Sequence, residues 1–248
     1  MDLMRAVKKK TEEFFPRTSV EIYDEFIIVD QCVDFSIYKN YIHIDAIQKC
    51  KYTGTENLKK IEMIARSFPN FRYMELEDVS TIVIEDTLDN RFEYSLPTLY
   101  IMATGMSWYN SYEFYQETFD QDYIKYSNII KKNFINTFNY IKDNLSTLET
   151  KDYDILFKHL IIFDRVLFND RENIIINCIN YILDNCYLLD ISNTSSIKDV
   201  GKKIKESRNE SNEIIYLKVM ILSFMDISFK YQWKKHEKEV KNLIKYIN

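Results

Sequence analysis

"YIHIDAIQKCKYTGTENLKKIEMIA", residues 41–65, is where the periodicity of the chain changes from that of a strand to that of a helix. Ile42, Ile44 and Ala46 alternate with Tyr41, His43 and Asp45, the period of two that a half-buried strand shows. Leu58, Ile61, Ile64 and Ala65 then fall on one face of a helix. Thr53, Gly54 and Thr55 lie between them, with Thr55 as the expected N-cap and Pro69 marking the helix exit. A helix N-terminus carries free N–H groups and a partial positive charge, so this turn can hold phosphate. A P-loop would need Lys-Ser/Thr after a second glycine, and a Rossmann fingerprint would need three spaced glycines. With Gly54 alone, an ordinary turn glycine is the competing reading.

Upstream, "VEIYDEFIIVD" (20–30) and "FSIYKNYIHIDAI" (35–47) read as strands, with "YKN" as a turn. Downstream, "FRYMELEDVSTIVIED" (71–86) reads as one bent strand or two. "TLDNR" has turn chemistry and "FEYS" returns as a short strand. "SLPTLYIMATGMSWYNSYEFY" (95–115) then reads as a helix capped by Ser95, with Pro97 in its first turn and Gly105 inside it. Beyond about residue 118 the texture is helical, in stretches at 123–145, 152–168, 171–189 and 212–247. Polar breaks at 146–150, 169–170 and 192–196 separate them. The expected fold class is α/β (α+β): a small mixed sheet over 1–117, then an all-helical region over 118–248 packed on the sheet domain or on itself.

The bulk numbers exclude several classes. The 248 residues suffice for a substantial core. A net charge of -5 predicts no general attraction to nucleic acid or to an anionic membrane. No apolar run has bilayer-spanning length, and "MDLMRAVKKKTEEFF" is not a secretory leader. Cys32, Cys50, Cys178 and Cys186 form no CxxC pair and read as buried, reduced cysteines with no metal. An intracellular, cytoplasmic protein is therefore expected. With only three Gly, three Pro and 19 Tyr, the composition reports an AT-rich genome more than a chemistry.

Three constellations could carry chemistry. His43 lies on the alternating strand, apart from His159 and His236. In "ELED", Glu75 and Glu77 share a strand face and could do acid/base work, or could simply be solvated. "KDVGKKIKESRNE" (198–210) reads as a basic loop and "YQWKKHEKEVKNLIKY" (231–246) as a solvated helix face, since acidic residues interleave in both.

The order strand, glycine turn, helix, strand, helix over 41–115 resembles the core of the GNAT N-acetyltransferase family. In "KCKYTG", Lys49 stands at the family's Arg/Gln, Tyr52 at its first loop glycine and Gly54 at its second. Leu58 and Ile61 match the aliphatic pair of the next helix. "GMSWYNSYEF" is similar to the family's late helix, with Gly105 at the alanine, Tyr109 at the tyrosine, Tyr112 at the leucine and Phe114 at the phenylalanine. The resemblance implies acetyl-CoA held around Lys49, Thr53, Gly54 and Thr55. It also implies Tyr109 as the acid protonating the CoA thiolate, with Glu75 or Glu77 as base. Tyr52 and Glu113 replace glycines of that pattern, and Met102 stands where the family often has Asn. The texture of these stretches also resembles proteins of mimivirus-like nucleocytoplasmic large DNA viruses. Together these features predict a degenerate scaffold that binds another protein, with no cofactor expected, no membrane and little role for nucleic acid. The alternative is an acyl-CoA-dependent N-acyltransferase.

Overall fold

The structure is a computed structural model. It describes residues 3–48, 50–77, 80–117, 119–147, 150–207, 211–233 and 243–247. The chain has an N-terminal mixed α/β part with a six-stranded sheet, followed by a mostly helical C-terminal region. It forms two compact units: Met1–Asp78 with Tyr112–Glu117 and Glu239–Asn248, and Val79–Ser111 with Thr118–Lys238. Residues 79–111, placed by the sequence reading with the sheet domain, group with the helical unit.

The first unit begins with α1 (Leu3–Phe14), a helix that the charged sequence of this stretch does not announce. Four antiparallel strands follow: β1 (Val20–Tyr23), β2 (Phe26–Val29), β3 (Val33–Ile37) and β4 (Tyr41–Ile47). The turns use left-handed backbone at Asp24, Asp30 and Gln31, the role that glycine usually takes. α2 (Gly54–Arg66) carries the chain over to β5 (Tyr73–Leu76), which pairs with β4 in parallel. A parallel pair needs such a crossover. β8 (Leu243–Tyr246) closes the order β1-β2-β3-β4-β5-β8, antiparallel to β5. Its sequence, read as the end of a long helix, is a strand because it supplies the ladder partner that β5 lacks on that side. Tyr115 extends the same edge by exchanging backbone hydrogen bonds with Ile244 at 2.9 and 3.0 Å.

Alternation decides the two faces. Ile42, Ile44, Met74 and Leu76 are buried with Leu58, Ile61 and Ile64 of α2. Lys245, the register partner of Met74, bonds to Glu62 of α2 at 2.9 Å, so α2 covers this face. Thr53 is the N-cap of α2, not Thr55, and it forms a capping box with Glu56.

The second unit opens with the hairpin β6 (Thr81–Glu85) and β7 (Arg91–Ser95). "FRYMELEDVSTIVIED" is thus two strands, in different sheets. α3 (Leu96–Thr104) starts at the expected Ser95 cap and stops sooner than its sequence suggests. Gly105 has φ 91° and ends the helix in the left-handed conformation, its N–H donating to the Ile101 carbonyl. Tyr109–Tyr112 form a short 3-10 turn, so the helix expected to run through Gly105 and Tyr109 is absent.

Then come α4 (Phe119–Ile129), α5 (Phe134–Asp143), α6 (Thr150–Leu160), α7 (Ile174–Asn185), α8 (Ile197–Glu206) and α9 (Asn212–Trp233). They share a core with the hairpin and α3 that includes Phe92, Phe134, Phe138, Phe163, Phe224 and Met220. α8 covers most of the stretch expected as a basic loop. A second capping box, Ser196 with Asp199, starts it. Gly201 lets it pack on α3: a Cβ there would meet Ala103 N and Met102 C at 2.7 Å. The second basic stretch lies largely in 234–242, outside the described residues.

Candidate functional site

The open sheet face of the first unit gathers the polar residues that the strand period sends away from the core. Tyr41 pairs with Tyr73 and His43 with Glu75 across the parallel β4–β5 ladder. His43 Nδ1 lies 3.1 Å from Glu75 Oε1, and Nε2 lies 3.7 Å from Asp45 Oδ1. Ser36 Oγ donates to Asp45 Oδ2 at 2.7 Å. An imidazole between two carboxylates can hold or pass a proton. Burial, Glu75's charge and a hydrogen bond to it raise the Tyr41 phenol pKa.

The strands part at this point. Pairing with β5 ends at Ile44↔Leu76, while β4 continues through 45–47. On its other side the register shifts: Asp34 faces Ala46 and Phe35 faces Ile44, leaving Asp45 as the extra residue of a bulge. Asp34 Oδ1 is buried without a hydrogen-bond partner among the described residues. Burial, and then the charge of Asp45, raise the Asp34 carboxyl pKa.

Aromatic rings continue the site across the strands. Tyr38 and Tyr41 stack at 4.5 Å, Tyr41 and Tyr73 at 4.9 Å, and Tyr246 meets Tyr73 at 6.2 Å.

The N-terminus of α2 is occupied by the chain itself. The Glu56 carboxylate accepts from Thr53 N and from Thr53 Oγ1, both at 2.8 Å, and Thr53 Oγ1 accepts from Glu56 N at 3.2 Å. The backbone bond from Thr53, followed by its hydroxyl, holds the Glu56 pKa below its usual value. Thr55 Oγ1 hydrogen-bonds the Tyr112 hydroxyl at 2.7 Å. Lys51 Nζ donates to the carbonyl of Pro16 at 2.8 Å, and Lys60 Nζ lies 4.3 Å from the Tyr52 ring centre. A disulfide joins Cys32 to Cys50. The expectation of four reduced cysteines is therefore corrected: 41–65 folds back so that Cys50 meets the start of β3, a proximity that spacing alone does not reveal. Cys178 and Cys186 are free and buried, and burial pushes both thiols up, Cys186 to about 11.

The sequence-expected residues divide accordingly. Thr53, Gly54 and Thr55 meet at the α2 N-terminus, and Lys49 lies outside the described residues. Glu75 joins His43, which sequence reasoning had held separately, and Glu77 is exposed beyond the end of β5. Tyr109 is buried in the second unit, edge-on to Trp108 at 4.7 Å. Sequence reasoning missed Glu56, Asp45 and the tyrosine series. Their signal was present in the capping-box spacing Thr53…Glu56 and in the alternation Tyr41-His43-Asp45.

No family model matches the chain, and the searches of curated proteins and of solved structures return no match. Among the described residues no helix is long and apolar enough to cross a membrane, and no group of three or more His, Cys, Asp or Glu is placed to hold a metal ion.

Proposed function

We propose that the first unit is a GNAT-like module whose cofactor end has closed, and that it works by binding another protein. The order β4, glycine turn, α2 and parallel β5 supports the GNAT-like reading. One observation carries the loss of the cofactor: the Glu56 carboxylate fills the α2 N-terminus. A pyrophosphate would have to displace one anion and settle beside its charge. Tyr52, in place of a loop glycine, adds bulk where phosphate would approach the backbone. A viral origin belongs to the same proposal and rests on sequence texture and composition. Residence in a reducing cytoplasm loses support from the Cys32–Cys50 disulfide.

The His43–Glu75 pair favours a second reading, an acyl-CoA-dependent N-acyltransferase. In it, the acceptor amine attacks the thioester carbonyl and the carbon–sulfur bond breaks. The amine proton passes to the Glu75–His43 pair, and the departing thiolate takes a proton from solvent; Tyr109, the acid that the resemblance assigns, is buried within the second unit.

Titration of acetyl-CoA and CoA by thermal shift separates the two. The module reading expects no shift at millimolar ligand. A ligand at 100 times its Kd would add about 2.7 kcal/mol. Such stabilisation, with turnover that Glu75→Gln lowers, would overturn the module reading in favour of the enzyme.

A further inference from the structure

We propose that the open face of the six-stranded sheet docks an extended, Arg/Lys-rich segment of a partner protein. This rests on the binding-module reading and names the chemistry of the partner.

Two kinds of group on this face bear on its partner. The first is the tyrosine series Tyr38, Tyr41, Tyr73 and Tyr246, running across the strands with ring centres 4.5 to 6.2 Å apart. Tyr246 is 71% exposed at its end. The second is carboxylate: Glu75 is one same-face position from Tyr73, Asp45 and Asp34 lie further along toward the bulge, and Glu21 lies further out on β1. The register sends no Lys or Arg from the described strand residues to this face; Lys245 points to the other one, onto Glu62.

Ring faces attract ammonium and guanidinium groups, and carboxylates pair with them by charge-assisted hydrogen bonds. The same carboxylates repel phosphate, so stacking rings on this face do not suit a nucleic acid. Asp34 is consistent with the same occupant: burial and the charge of Asp45 raise its carboxyl pKa, and a cationic group held on the face at Asp45 would relieve that repulsion.

Calorimetric titration of the full chain with an N-acetylated, amidated ten-residue peptide alternating Arg and Ser tests this. Measurable binding is expected. Asp45→Asn combined with Glu75→Gln should weaken it at least tenfold. Glu12→Gln combined with Glu13→Gln makes the same change of net charge on exposed α1 and should leave it within twofold. Where the first pair fails to fold, Tyr246→Ser reads the same face from its exposed edge, with about threefold weakening expected. Three results would overturn the proposal: no binding at millimolar peptide, equal weakening by the α1 pair, or tighter binding of single-stranded RNA. The CoA titration reads the α2 N-terminus and the peptide reads the sheet face. CoA binding would therefore remove the module reading without touching the peptide result, and a silent peptide would remove the docking proposal alone.

Discussion

Asp34 and Asp86 are both aspartates withdrawn from solvent, and they are treated in opposite ways. Asp86 sits in the β6–β7 turn. Its carboxylate accepts from Leu88 N, Asn90 N, Asn90 Nδ2 and the Tyr216 hydroxyl at 2.6 to 2.9 Å. Burial alone would raise its pKa, but the bond from Tyr216 and those from Asn90 and Leu88 bring it down to about 2. Asp34 has burial and a neighbouring carboxylate, and its pKa goes up. A satisfied buried carboxylate fastens a hairpin to its helical unit. An incompletely satisfied one, on an open aromatic face, leaves capacity for a partner. The two units differ in the same sense: one turns its apolar groups into a shared core, and the other keeps a polar, ring-lined face.

The helical unit should be the easier one to break by packing. Gly201→Ala places a methyl group 2.7 Å from backbone atoms of α3, which cannot rotate away. A loss of more than about 3 kcal/mol is expected, read as a large drop in denaturation midpoint. A drop of only a few tenths would mean that α8 and α3 do not approach so closely.

The sheet unit's corresponding restraint is covalent. Removing the disulfide with Cys32→Ser and Cys50→Ser, a separation of 18 residues, should cost about 3 kcal/mol through loop closure in the unfolded chain. Thiol titration of the unfolded, unreduced protein should find two free thiols, and four would refute the bridge.

The aspartates give the smaller, sharper contrast. Asp86→Asn replaces an acceptor with a donor amid four donors and should cost about 2 kcal/mol. Asp34→Asn should leave the melting temperature unchanged or raise it, since it removes a charge the site disfavours. The pH dependence separates them further. Asp86's folded pKa is below its ordinary 3.8, so its stabilisation is complete above that value and is lost as pH falls through about 2. Asp34's is raised, so its protonation relieves the native state as pH falls. Melting curves from pH 5 to 2 should lose their slope at the low end in Asp86→Asn. An unchanged slope would show that another carboxylate governs acid unfolding.

The strand at 41–47 and the helix after Gly54 read the same way in sequence and structure because alternation and helical period are local properties, while the N-cap moved from Thr55 to Thr53 and Cys50 proved to be bridged. The hairpin at 81–95 was legible for the same reason, through its turn chemistry and the Ser95 cap. α8 was hidden because Gly201 lowers its helix propensity and its clustered lysines read as a charged loop, although Ile197, Val200 and Ile204 keep helical spacing; a cap and contact with α3 fix it. Gly105 was misread because its backbone conformation, not its spacing, assigns its role. Of the candidate site, the α2 N-terminus and Glu75 were visible, but their relations were not. His43 and Glu75 are 32 residues apart, and only the parallel register puts them face to face.

The sequence by itself thus determined which residues face inward on β4 and α2, where the β6–β7 turn falls, and that a strand passes through a glycine turn into α2. These depend on side-chain period and local hydrogen bonding. Tertiary structure alone decided that β8 joins β5, that Cys32 reaches Cys50, and that tyrosines and carboxylates from five strands form one open face. Those outcomes require groups distant in the chain to meet, and ladder register and packing choose among many pairings that local sequence leaves open.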